Sequence, residues 1–263
     1  MSKKIIIAVL VIAIACTTIF AMAGCNNKSD WEYIQDKGEM IIGYTLYEPI
    51  AYKDENQKLI GFDTELAEAV AADLGLKVKF QLINWDAKET ELKSKSIDLI
   101  WNGLTIDEDR KANMEISIPY MANKQVAVVQ KDSGITDKAS MAGKSFAFEK
   151  GSAGANVVDK EFPNAKKNLM NAQIDALLEV NSKTSDIAII DSVMAGFYIS
   201  KPDFSSLMMI DCNFTDEYYG IAARKGDTEF IGKINASLKK LNESGKVGEI
   251  AKKYGLESLI TIQ

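Results

Sequence analysis

Apolar residues recur along the chain with two periods. Met40-Ile41-Ile42-Gly43-Tyr44 is a short continuous run, the mark of a buried strand. Phe62, Leu66, Val70 and Leu74 follow at helical spacing, with Asp63 placed to cap the start and Gly75 to close the end. Lys77 to Ile83 alternates through Val78, Phe80 and Leu82, which predicts a strand. Asp86-Ala87-Lys88-Glu89 has the form of a capping box with Asp in place of Ser. Ile97 to Trp101 is continuous and apolar again, and Asp107-Glu108-Asp109 starts another short helix. Strand, helix, strand, helix, strand implies a parallel sheet covered on both faces.

A second set follows. Strands are predicted at Gln125–Gln130, Ser145–Phe148, Asp186–Ile190, Leu207–Ile210 and Tyr219–Ala223. A helix runs from the loop Glu149-Lys150-Gly151-Ser152-Ala153-Gly154 to about Glu161, and Asp191 is placed to cap another. The tail is helical: Phe230, Ile234, Leu238 and Leu241 share a face, Gly245 stops it, and Val247, Ile250 and Tyr254 make the next. No repeat and no Pro/Ser linker divides the chain. Two α/β lobes joined by crossings near Asn123–Gln125 and Asp211–Phe214 fit best: 37–123 with 213–263, and 124–212.

The first residues have a different logic. Lys3 and Lys4 precede an apolar run over 5–15, and Ala21-Met22-Ala23-Gly24-Cys25 follows. Charge, apolar run and small residues predict a signal peptide over 1–24 rather than a membrane anchor, since Cys16, Thr17 and Thr18 dilute the run. The junction resembles a bacterial lipobox, with Met22 where Leu is usual. That resemblance implies lipidation of Cys25, and 25–36 then reads as a flexible tether. Of the other cysteines, Cys16 leaves with the signal, so Cys212 has no internal disulfide partner and reads as a small buried hydrophobe.

Composition removes whole classes of function. The formal net charge of −6 argues against nucleic acid as a partner. The absence of His excludes Ser-His-Asp and Cys-His catalysis and leaves few zinc ligands, so neither a metal nor another cofactor is expected.

Ligands of open α/β sheets bind beyond the carboxyl ends of parallel strands. After 97–101 come Asn102, Gly103, Thr105 and Arg110: a close backbone approach, a hydroxyl and a planar fork suited to a carboxylate. Alone, Arg110 reads rather as an exposed helical side chain paired with Asp107 or Glu108. After 145–148 comes the Gly-rich loop, whose helix N-terminus collects anions, or which is a plain tight turn. After 186–190 comes Asp191, a carboxylate or a helix cap. Together these groups form a receptor for a zwitterion: Arg110 and N–H groups for a carboxylate, Asp191 for an ammonium.

The segments GLTIDEDR (103–110), IPY (118–120), LIGFDTELAEAVAADLG (59–75), EKGSAG (149–154), IIDSVMAG (189–196) and YYGIAARKGD (218–227) resemble those of the polar amino-acid family of ABC-transporter solute-binding proteins, family 3, over about residues 31–255. The resemblance implies a two-lobed periplasmic-binding-protein fold, each lobe a mixed sheet flanked by helices, closing on an L-amino acid. It implies delivery to ABC-transporter permease subunits, a single chain, and attachment outside the cytoplasmic membrane. It assigns Arg110, Thr105 and Gly103 to the ligand carboxylate, with Asn102 beside them, and Asp191 to the ammonium. It adds Ser152 and Ala153, the latter lacking the frequent hydroxyl, and the aromatics Tyr47 and Trp85. Ile50 stands where Phe is usual. A few relatives of this fold are cyclohexadienyl (arogenate/prephenate) dehydratases, so an enzyme is the alternative to a binding protein. Tyr47 and Trp85 suit a flat or long side chain. A polar or sulfur-containing amino acid such as glutamine or cystine therefore ranks ahead of a cationic one; Glu149, where Gln is frequent, could meet a cationic side chain but is read first as a solvated acid beside Lys150.

Overall fold

The computed structural model describes residues 29–214 and 216–263. The signal segment and Cys25 lie outside the described residues. In chain order come α1 (Asp30–Lys37), β1 (Glu39–Tyr44), the hairpin β2 (Tyr52–Lys53) and β3 (Leu59–Ile60), α2 (Phe62–Leu74) and β4 (Lys77–Leu82). Then come α3 (Lys88–Lys93), β5 (Leu99–Thr105), α4 (Glu108–Asn113), β6 (Met114–Ile116) and β7 (Met121–Gln130). Next are β8 (Ser145–Glu149), α5 (Ala153–Glu161), β9 (Lys166–Met170), α6 (Gln173–Asn181), β10 (Ile187–Asp191), α7 (Ser192–Ile199) and β11 (Leu207–Ile210). β12 (Asp216–Arg224), α8 (Thr228–Glu243) and α9 (Lys246–Tyr254) complete the order.

The strands join as β4-β1-β5-β12-β7-β10-β8-β9, with β11 on β7 and β6 on β12. β4, β1 and β5 are parallel, as their pattern predicts, and so are β10, β8 and β9. β12 runs antiparallel between β5 and β7. β7 belongs to both halves: Met121–Lys124 pair with β12, and Gln125–Val129 pair with β10. The result is two mixed half-sheets flanked by helices, the two-lobed α/β fold. β5 is buried along its whole length, which is why its sequence shows no alternation of apolar and polar residues.

Several expectations are corrected. The tether does not extend to residue 36: Asp30–Lys37 is a helix. Ser29 and Glu32 form a reciprocal capping box, Trp31 and Ile34 are buried, and Trp31 stacks on Phe230 at 5.8 Å. Only two apolar positions on that helix signal the docking. Asp63 does not cap α2, whose N-cap is Gly61; its carboxylate turns inward. The turn before α3 is capped by Asn84, whose side chain accepts from the Asp86 N–H, and not by Asp86. The third strand runs on to Thr105, so Asn102, Gly103 and Thr105 lie in β5 rather than after it. The hairpin β2–β3 and the strands β6 and β9, which are short or mostly polar, are not predicted from the sequence, and neither is α6, although Ala176, Leu177 and Val180 bury one face of it. Cys212 is buried and free, as read.

Candidate functional site

Tyr47, Trp85, Asn102, Gly103, Thr105, Arg110, Ser152, Ala153 and Asp191 all line one pocket, which holds about 360 Å³ of space between atoms. Both half-sheets contribute. β5 and α4 bring Asn102, Gly103, Thr105 and Arg110, while the loop after β8 and the end of β10 bring Ser152, Ala153 and Asp191.

Arg110 is buried, not an exposed helical side chain. Its Nη1 donates to the Thr105 carbonyl at 2.6 Å, and its Nε lies 3.4 Å from Asp107 Oδ2. Asp107 also caps α4, accepting from the Arg110 N–H at 2.7 Å. The fork is thus held from both sides. Gly103 beside it has φ +62°, and a Cβ there would stand 2.9 Å from Tyr47 Cε1. Only glycine fits.

Asp191 is buried and receives three amide donors: Asn123 Nδ2 at 2.5 Å, Gln125 Nε2 at 2.6 Å, and Gln173 Nε2. Burial raises its pKa, and those amides together with Arg110 pull it back. Its side chain makes no helix cap, contrary to that reading. Glu217 accepts from Gln125 Nε2 at 3.0 Å, Thr105 Oγ1 at 3.1 Å and Asn123 Nδ2 at 3.2 Å. Burial, then the Asp191 charge, pushes Glu217 up to about 7.

Glu149 is not a solvated acid. It is buried and lines the pocket, and burial, followed by the Asp191 charge, pushes its carboxyl up to about 8. Lys88 and Arg110 oppose that rise. Lys88 is itself buried: its Nζ lies 5.0 Å from the Trp85 ring centroid and donates to the carbonyls of Trp85 at 3.2 Å and Gly151 at 3.0 Å. Burial, then Arg110, lowers it to about 8. The Lys88–Gly151 contact bridges the two half-sheets. So do Lys150–Asp86 and Lys201–Glu48, both at 2.7 Å. The cleft is therefore shut.

A polar layer supports the pocket from behind. Asp63 Oδ2 accepts from the Gly103 N–H and the Tyr120 O–H, both at 2.8 Å, and burial pushes Asp63 up to about 7. The hydroxyls of Tyr47 and Tyr219 meet at 2.7 Å. Sequence reasoning missed Asn123, Gln125, Gln173, Glu217, Lys88 and the inward role of Asp63. Apart from the Lys88–Trp85 contact, their partners lie many residues away along the chain, and no local spacing reveals them. Thr45, Leu46 and Met194 also line the pocket unpredicted.

Known proteins are similar to this chain in sequence and fold. The sequence model of the bacterial extracellular solute-binding proteins, family 3, matches residues 40–257. The arginine-binding extracellular protein ArtP of Bacillus subtilis is 30% identical over 249 residues, covering 93% of this chain and 96% of ArtP. A substrate-binding protein of an ABC uptake transporter from Streptococcus pneumoniae, solved with bound histidine, superposes with a TM-score of 0.85 at 30% identity, covering 90% of this chain and all of that one. An ancestral amino acid-binding protein, AncCDT-1, a precursor of cyclohexadienyl dehydratase, superposes with a TM-score of 0.80 at 30% identity, covering 86% of this chain and 99% of its own. With the family match spanning most of its length, this chain belongs to the bacterial extracellular solute-binding proteins, family 3.

Proposed function

We propose that this chain captures an L-amino acid with a cationic side chain outside the cell and delivers it to the permease of an ABC transporter. Arg110, Thr105 and the N–H group of Ala153 take the α-carboxylate, Gly103 lets it approach the backbone closely, and Asp191 takes the α-ammonium. Asn102 and Ser152 complete the polar wall. Tyr47 and Trp85 enclose the side chain. The observation that carries the reading is the unequal charge of the lining: Arg110 faces both Asp191 and Glu149. A zwitterion matches Arg110 with Asp191 and leaves Glu149, opposed from outside the pocket lining only by Lys88, to meet a cationic side chain. This reverses the order expected from sequence, in which glutamine or cystine ranked first.

The lobes we propose are 37–123 with 213–263, and 124–212, closing around β7. Cys25 carries a lipid after removal of residues 1–24. Binding, not dehydration, is the activity we propose, because the similar proteins named above are amino-acid-binding proteins by description. A thermal-shift screen of all the common amino acids, with arogenate and prephenate added, tests this. A ligand at 100 times its Kd adds about 2.7 kcal/mol, roughly 5–10 °C for a chain of this size. Arginine, lysine or histidine should give the largest shift. A largest shift from an acidic amino acid, or turnover of either cyclic acid, would overturn the proposal.

A further inference from the structure

Helix α1 is fastened to the half-sheet β4-β1-β5-β12 by independent contacts. Ile34 is fully buried and Trp31 stacks on Phe230. Asp30 pairs with Arg224 and, at 2.8 Å, with Lys95. Ser29 Oγ lies 3.3 Å from Glu229 Oε2 of α8. Chain order places Asn26, Asn27 and Lys28 alone between Cys25 and Ser29. Whatever path they take, four residue steps reach about 14 Å at most. A domain of this size has a radius of gyration of roughly 17 Å and is therefore roughly 45 Å across.

We propose that the face around Ser29, Tyr33 and Glu229 is held against the lipid headgroups, so that the chain stands on its membrane in a fixed orientation. This rests on the lipidation of Cys25 given under Proposed function. A leash of about 14 Å keeps the far side of a body of roughly 45 Å from reaching the bilayer. The half-sheet that carries α1 is the stationary one. The half-sheet β10-β8-β9 stands away from the bilayer and is the one that swings when the cleft opens.

The test uses the full lipidated chain in vesicles of phosphatidylethanolamine and phosphatidylglycerol that carry a headgroup quencher. Fluorophores are attached in turn to Tyr33→Cys and Leu169→Cys. Tyr33 and Leu169 are both exposed, on α1 and on the outer strand β9. Cys212 is buried and escapes labelling. The Tyr33 label should be quenched several-fold more than the Leu169 label, and inserting twenty Gly/Ser residues after Asn27 should bring the two within a factor of about 1.5. Equal quenching with the native leash, while mass spectra show a lipidated Cys25, overturns the orientation alone. An unmodified Cys25 overturns both the orientation and the anchoring it rests on. A difference that survives the insertion shows that something other than the leash orients the chain, and also overturns the proposal.

Discussion

Glu149→Gln separates a cationic ligand from a neutral one. In the shut cleft the Glu149 carboxyl moves from 4.5 to about 8, chiefly because burial disfavours its charge. A shift of that size is worth about 5 kcal/mol between the two protonation states. The sign follows from the raised value. Closing over a neutral side chain makes Glu149 take up a proton, so closure is favoured at low pH and loses that advantage as pH rises through about 8. A neutral ligand should therefore weaken by up to about tenfold per pH unit between about 5 and 8, which amounts to about 3 kcal/mol at pH 7. Glu149→Gln should recover that loss and flatten the profile. A cationic ligand supplies the missing partner, so Glu149 stays ionised on closing. Its affinity should be nearly flat between about pH 5 and 8 and should fall by about 2–5 kcal/mol in Glu149→Gln. Isothermal titration of L-arginine and L-glutamine at pH 5.5, 6.5 and 7.5, in two buffers of different ionisation enthalpy, measures both affinity and proton uptake. Glutamine binding tighter than arginine to the native chain, with no proton uptake and no pH dependence, would refute the electrostatic account of Glu149.

Arg110→Met keeps an apolar stem but removes the fork, so titration should show a loss of about 2–5 kcal/mol in ligand affinity, while thermal unfolding without ligand moves by only a few degrees. Binding within threefold of the native chain would remove Arg110 from the site. Asp63→Ala orphans the Gly103 N–H and the Tyr120 O–H, at about 1–3 kcal/mol for each buried donor, and urea unfolding should register most of it. The raised Asp63 carboxyl holds a proton in the folded state that the unfolded state has released, so native stability should fall as pH rises from 3.8 through about 7; an Asp63→Asn chain with the same slope would show that another group titrates. Cys25→Ser should move the chain from the membrane fraction to the medium, and unchanged membrane association would rule out the lipid anchor.

The parallel cores were legible because buried strands such as β5 and β10 are mostly apolar without alternation, and the helices between them keep their period. Asp191 stood out as a charge closing such a strand, and Arg110 as one in the short segment that follows another. The tyrosine and amide layer behind them did not. Asn123, Gln125 and Glu217 sit in strands, where polar residues read as solvent-facing, yet Asn123 and Gln125 are buried against Asp191. Lys88 fell inside a pattern that looked like a helix cap. Its burial comes from Trp85 beneath it and from Gly151, which only the fold brings near. Helix α1 was taken for a tether because DWEYIQDK is mostly polar and its two anchors, Trp31 and Ile34, make too short a stripe to show a period.

The central claim is that Arg110 and Asp191 grip the two ends of one zwitterion. Calorimetric titration of the native chain at pH 7 with L-arginine, with agmatine, which lacks the carboxylate, and with Nα-acetyl-L-arginine, which lacks the ammonium, tests it most directly. Each truncated compound leaves one buried charge without its partner, so each should bind at least about a hundredfold more weakly than L-arginine. Either compound binding within a few-fold of L-arginine would contradict the claim.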